Sequence, residues 1–201
     1  MKSIAIITAR GGSKRIPRKN IKPFLGRPIL EYSIEAALAA DMFHEVMVST
    51  DDEEIANAAK RAGAKVPFLR SEKTANDFAT TADVVDEVLN VYGGMDMHFD
   101  RACCLYPTAP FVTARAIRTA MLLLDEEQAD CVIPVVKFSF PPQRGVVIEN
   151  GRIVPKWKEC MNMRSQDLEP LYHDCGQFYC LNVASFQKQK AIWMENVVPF
   201  V

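Results

Sequence analysis

The sequence predicts an α/β fold: a doubly wound, Rossmann-like, mostly parallel sheet with helices on both faces and a protruding hairpin arm. Three observations carry the class. A β-branched run, "SIAII", opens the chain and ends near a glycine pair. Short apolar runs then alternate with longer amphipathic segments, the pattern of repeated βα units. Finally, Asn150-Gly151 stands between two short apolar runs outside that rhythm, a strong hairpin signal.

The elements follow in order. Ser3 to Ala9 reads as a buried parallel strand. Arg27 to Asp41 reads as a helix, with Pro28 suited to its first turn and Ile29, Ile34 and Leu38 on helical spacing. Glu45 to Thr50 is the next strand. Asp51 to Ala64 is a helix with acids in its first turn and Gly63 as its stop, and Lys65 to Leu69 a further strand. Thr80 to Gly94 is a helix with a glycine stop, Arg101 to Tyr106 a strand, Thr113 to Glu127 a helix and Asp130 to Val136 a strand. The Pro-rich "FSFPPQRG" ends the alternation, and the hairpin forms the base of an arm over about 141–172. Gly176 to Lys190 returns as strand and short helix. The whole, residues 1–201, reads as one domain carrying that arm.

Composition narrows the function. Hydrophobic residues make up 49% and charged residues 24%, so the chain can bury a core and is neither disordered nor collagen-like. Lys plus Arg total 24 against 25 Asp plus Glu, which leaves no global field to draw the protein to nucleic acid or a membrane; any anion site is local. No stretch approaches the roughly 18 apolar residues of a membrane span. No secretion signal is visible either, so the cytoplasm is the expected compartment. The six cysteines form no CxxC pair, and read as buried reduced thiols ahead of zinc or redox chemistry.

Local positive charge is concentrated behind the first strand. From Arg10 to Lys22 the chain holds Arg10, Lys14, Arg15, Arg18, Lys19 and Lys22 and no acid. In open α/β sheets ligands bind beyond the carboxyl ends of the strands, where this loop must lie, so a polyanion belongs there. The loop is not a Walker A motif, whose Gly-Lys-Ser/Thr order is absent, nor a GxGxxG turn, which lacks its third glycine. Pro17 and Pro23 keep a long helix from starting at Gly11. An extended loop that wraps phosphates is expected, with Gly11 and Gly12 letting backbone approach the ligand.

At these residues the sequence resembles the CMP-sugar synthetases, the acylneuraminate-type cytidylyltransferases, whose loop runs A-R-x-x-S-K-x-x-P-x-K-N; here it is Ala9, Arg10, Ser13, Lys14, Pro17, Lys19, Asn20. "LRSEKTANDFATTADVV" and "LYPTAP" match further family segments. "ACCLY" with "RSQDLEPLYHDCGQFY" is similar to the pseudaminic acid branch. The resemblance implies transfer of CMP from CTP to the anomeric hydroxyl of a nonulosonic acid, with release of pyrophosphate, for surface-glycan or flagellin glycosylation. It assigns Arg10 and Lys14 to the β/γ-phosphates and the leaving group as catalytic cations. Nucleotide binding falls to Ala9, Arg10, Gly11, Ser13, Lys14, Asn20, Arg70, Asp77, Ala79 and Thr81, and sugar binding to Tyr106, Thr108, His173, Gln177 and Tyr179. His173 reads equally as an ordinary hydrogen-bonded residue, and Tyr179 equally as core. The partners implied are CTP, a nonulosonic acid and a second copy in a homodimer, with the arm reaching toward the partner's sugar pocket.

The sequence also departs from the family. Mg2+ is expected with CTP, yet the D-x-D segment that supplies its carboxylates is not found, and Asp96 and Asp100 do not match it. Slow or absent turnover of the 201-residue form is therefore expected, with a catalytically impaired nucleotide-binding dimer as the alternative function. A nucleic-acid reading lacks aromatics interleaved with the basic loop. Which nonulosonic acid is used is not legible.

Overall fold

The computed structural model describes residues 1–14 and 16–201; Arg15, counted above among the loop's cations, lies outside them. The chain divides into two units, Met1–Pro134 with Gly176–Phe200, and Val135–Cys175 with Val201.

In the first unit, β1 (Ser3–Thr8) is followed by the basic loop and a two-residue ladder of β2 (Pro23–Phe24) with β3 (Arg27–Pro28). That ladder delays α1 to Ile29–Ala39, where Leu30, Ser33, Ile34 and Ala37 face the core; of the three apolar positions expected there, Leu38 is exposed and Ile29 only half-buried. Next come β4 (Glu45–Ser49), α2 (Glu53–Arg61), the single turn α3 (Glu72–Ala75), α4 (Thr81–Gly94), β5 (Arg101–Leu105) and α5 (Ala114–Glu126). β6 (Cys131–Lys137) runs out of this unit, and β10 (Phe178–Asn182), α6 (Val183–Gln189) and β11 (Val197–Phe200) complete it; β7 to β9 belong to the second unit.

The strand order is β11-β6-β10-β5-β1-β4, parallel throughout except for β10, which runs antiparallel to both its neighbours. Two expectations are corrected. Lys65 to Leu69 is not a strand: Lys65 makes one bridge to Met47, and Pro67 cannot donate to a ladder. Gly93 and Gly94 lie inside α4, whose turn-off falls at Met95 and at the left-handed Asp96.

Both faces of β1 are buried. Ala5 and Ile7 pack with Leu30 and Ile34 of α1 and Ile117 and Met121 of α5. Ile4 and Ile6 face the other side, covered by α4, whose Tyr92 hydroxyl donates to buried Glu45 at 2.9 Å. Cys103, Cys104, Cys131 and Cys180 are buried and outside any disulfide, and pack as small residues in the core; Cys160 and Cys175 are only partly covered. Among the described residues no helix is long and apolar enough to cross a membrane.

α2 begins at Asp52, whose carboxylate accepts from the amides of Glu54 (2.9 Å) and Ile55 (3.0 Å) and pairs with Arg18. Burial works to raise the Asp52 pKa, but the Arg18 guanidinium and the two amides outweigh it and hold it below the ordinary value. Asp52→Ala is expected to cost about 1 kcal/mol at pH 7 in urea unfolding. Because the folded pKa is depressed, this contribution is present above the unfolded value of about 4 and lost as pH falls through the folded one. The gap between wild type and variant closes in the acid limb.

In the second unit β7 (Val146–Glu149) and β8 (Arg152–Pro155) pair antiparallel around Asn150 (φ 51) and Gly151 (φ 73), the left-handed pair that a two-residue hairpin demands. β9 (Tyr172–Asp174) pairs with the outer half of β6. The hairpin is apolar yet uncovered: Ile148 and Ile153, directly cross-strand, are 77% and 73% exposed.

Candidate active site

The chain passes from β1 through α1 to β4 on one side, then through α4 to β5 on the other. The crevice beyond the carboxyl end of β1 is thus the switch point of the sheet. A cleft of about 690 Å³ opens there. Its walls are the basic loop, Arg70, the 77–81 segment and the turn after β5.

Ala9 closes β1 with its amide on the Ser49 carbonyl at 2.9 Å and its side chain in the core, so it sets the loop's origin and does not line the cleft. The Gly11 amide donates to Asp51 at 2.8 Å, and a Cβ on Gly11 would stand 2.8 Å from Asp52 Oδ2 and 2.9 Å from its Cβ. The start of α2 therefore leaves no room for a side chain at Gly11. A Cβ on Gly12 meets nothing within 4 Å. Arg18 is likewise withdrawn from the cationic set by Asp52 and Glu54.

The side chains that remain at the cleft are Arg10, Ser13, Lys14, Lys19, Asn20 and Arg70 on one side and Asp77, Ala79, Thr81, Tyr106 and Thr108 on the other. Asn20 is buried; its Nδ2 donates to the Arg10 carbonyl at 2.8 Å, which fixes the amide's orientation and leaves Oδ1 without a partner among the described residues. Arg70, also buried, donates from Nε to Ser49 Oγ (3.0 Å) and from Nη2 to the Ser49 carbonyl (2.6 Å). No carboxylate pairs with it among the described residues, and burial pulls its pKa below the ordinary arginine value. An arginine stays charged all the same, so a buried cation awaits an anion.

Asp77 holds Arg10 (2.8 Å) and Lys14, and hydrogen bonding from Lys14, then Arg10, keeps its carboxyl below the ordinary range. It is the carboxylate among the residues lining the cleft, and both its oxygens are engaged. One carboxylate already paired with two cations does not make a Mg2+ site from protein ligands alone, and among the described residues no group of three or more His, Cys, Asp or Glu that could hold a metal ion is found.

α4 presents its N-terminus to the cleft through Thr80 and Thr81. Thr80 and Asp83 form a reciprocal capping box, and Thr81 Oγ1 and the Tyr106 hydroxyl share a hydrogen bond of 2.9 Å. Tyr106 is held by its amide on the Gln177 carbonyl (2.9 Å), its carbonyl on Ser33 Oγ (2.9 Å), and its ring edge-on to Tyr179 at 5.8 Å. Gln177 and buried Tyr179 therefore support Tyr106 and do not line the cleft, unlike the direct sugar contacts expected of them. His173 lies in the second unit on β9, hydrogen-bonded to the Asp174 carbonyl at 3.0 Å and packed on Phe138. Thr8, Thr80 and the Asn76 carbonyl, which accepts from Arg10 at 2.8 Å, were missed; the T-x-x-D spacing at 80–83 was the available signal for Thr80.

Known proteins bear on this arrangement. The cytidylyltransferase family model matches residues 4–170. The pseudaminic acid cytidylyltransferase of Campylobacter jejuni is 40% identical over 197 residues, spanning 98% of this chain and 82% of that protein. The CMP-N,N'-diacetyllegionaminic acid synthase of Legionella pneumophila is 31% identical over 203 residues, 100% of this chain and 87% of that one. Among solved structures, a CMP:2-keto-3-deoxy-manno-octonic acid synthetase complexed with CTP shares the fold at a TM-score of 0.70 and 20% identity, covering 100% of this chain and 89% of that one.

Proposed function

Since the chain belongs to the cytidylyltransferase family, we propose that it transfers CMP from CTP to the anomeric hydroxyl of a nonulosonic acid, pseudaminic acid foremost, and releases pyrophosphate. The observation that carries this is the meeting, in one cleft, of a buried guanidinium and a buried amide oxygen that, among the described residues, have no ion-paired carboxylate and no donor respectively. A ligand bearing both phosphates and an exocyclic amine completes both. Cytosine offers that amine to Asn20 Oδ1, where uracil would present a carbonyl. Arg70 then clamps the phosphates, and Arg10 and Lys14 take the charge that develops on the leaving pyrophosphate.

The anomeric oxygen attacks the α-phosphorus in line, the bond to the β-phosphate oxygen breaks, and the protein's work is positioning and charge stabilisation. Tyr106 and Thr108 line the sugar side of the cleft, with Gln177 and Tyr179 holding Tyr106 in place. His173, on β9, is assigned to the sugar acid by sequence resemblance. The chain acts as one nucleotidyltransferase domain in a cytoplasmic homodimer. The uncovered Ile148 and Ile153 of the hairpin support a role for the arm, about 141–172, in pairing two copies.

Pyrophosphate release is the test, with CTP or UTP and with pseudaminic, legionaminic or N-acetylneuraminic acid as acceptor. Release is expected to be fastest with CTP and pseudaminic acid and at least tenfold slower with UTP, on the order of one mismatched polar group. CTP binding without release from any acceptor would favour the binding-only alternative, which relatives spanning nearly the whole chain do not favour.

A further inference from the structure

Both Nη atoms of Arg10 are engaged by residues 76 and 77. Nη2 meets Asp77 Oδ1 at 2.8 Å, Nη1 donates to the Asn76 carbonyl at 2.8 Å, and Lys14 Nζ closes on Asp77 Oδ2. A triphosphate that draws on these two donors and on Lys14 must displace the Asp77 carboxylate and the Asn76 carbonyl. The arrangement is built. Asn76 Oδ1 accepts from the amides of Phe78 (2.8 Å) and Ala79 (3.0 Å), and its Nδ2 donates to the Lys73 carbonyl (2.7 Å), so a preformed turn presents the Asp77 carboxylate to the two cations.

We propose that Asp77 is an exchangeable counter-ion that occupies the pyrophosphate seat when nucleotide is absent and returns to it as pyrophosphate leaves. This rests on the reading of the cleft as a CTP site. Three features set Asp77 apart from a structural ion pair. Its side chain is 36% exposed and Lys14 is 81% exposed, so the pairs sit in solvent, where they are weak and open readily. Asp52, by contrast, is anchored by two helix amides as well as a guanidinium. And Arg70, deeper in the same cleft, has no such carboxylate, so the anchoring cation stays open while the outer two are filled.

The consequence is directional. Every polyphosphate must displace Asp77, but CTP recovers the loss through its base at Asn20, whereas free pyrophosphate has no base to offer. The cost of opening the Asp77 pairs is the same for both, but pyrophosphate has only those cations to hold it while CTP keeps its base contact. Asp77 thus brings the product nearer to release and acts as a release-determining residue rather than a nucleotide ligand.

Calorimetry with inorganic pyrophosphate, CTP and cytidine on wild type, Asp77→Asn and Asp77→Ser tests this, with thermal melts run alongside. Pyrophosphate is expected to bind about threefold to tenfold tighter to both variants, the scale of one or two exposed ion pairs, with cytidine unchanged. In turnover, pyrophosphate inhibition strengthens, and KM for CTP and kcat fall together. Pyrophosphate binding equal to or weaker than wild type in a folded variant overturns the proposal. So does a cytidine affinity that shifts in step with pyrophosphate, since that marks a rearranged cleft. If no form binds CTP or cytidine while the variants still tighten on pyrophosphate, the counter-ion stands and the cytidine reading falls.

Discussion

Replacing Arg70 with methionine is expected to lower kcat/KM for CTP by about 100- to 1,000-fold, the cost of removing one charge-stabilising donor from a dry site, while leaving the fold as stable as before. The two halves have separate causes. Arg70 is 7% exposed and, among the described residues, no carboxylate forms an ion pair with it, so the charges of Asp51 and Glu87 and its bonds to Ser49 offset only part of its desolvation. Methionine fills similar volume and removes that cost. What is lost is the donor to Ser49: its carbonyl keeps the Ala9 amide at 2.9 Å, and only its hydroxyl goes unpaired. The sum is expected to fall within about 1 kcal/mol of zero. Urea unfolding and pyrophosphate-release kinetics on the same preparation check it. Arg70→Lys should recover little activity, since an ammonium cannot reproduce the fork. A large loss of stability in Arg70→Met would show the residue to be structural.

Gly11→Ala is expected to destabilise the protein by about 2–4 kcal/mol, combining overpacking with loss of a helix cap. The new Cβ would stand 2.8–2.9 Å from atoms of Asp52, including that residue's own Cβ, which cannot swing away. Moving Asp52 pulls its carboxylate from the Glu54 and Ile55 amides and from Arg18, so the start of α2 and the middle of the basic loop loosen together. The melting temperature should fall by roughly 5–10 °C for a chain of this size. Activity should fall with it, because Arg10 and Lys14 flank the displaced turn. Gly12→Ala, with open space at its Cβ and no positive φ, should leave both within about 0.5 kcal/mol of wild type.

Much of the site was legible because it is written locally. Arg10, Ser13, Lys14 and Asn20 follow one buried strand, and a strand that ends at a switch point delivers its next residues to the crevice. Arg70, Ala79, Thr81, Tyr106 and Thr108 come from separate stretches that the family motifs identified, and the fold brings them to the same cleft. Gln177 and Tyr179, expected at the sugar, stand against Tyr106, since a residue in or beside a strand looks alike in sequence whether it lines a pocket or props what does. Asp77 was placed at the site, but its ion pairs join positions more than 60 residues apart and no spacing rule encodes them.

By itself, then, the sequence determined the alternation of elements, the β7–β8 turn and the cationic loop behind β1, since backbone preference and hydrophobic period act over a few residues. Only the tertiary structure decided that β10 inserts antiparallel between β5 and β6, that Lys65 to Leu69 makes a single bridge, that Asp52 leaves no room for a side chain at Gly11, and that Asp77 pairs with Arg10 and Lys14. These depend on which distant surfaces meet, and the free energy of such meetings is a property of the packed chain rather than of any segment in it.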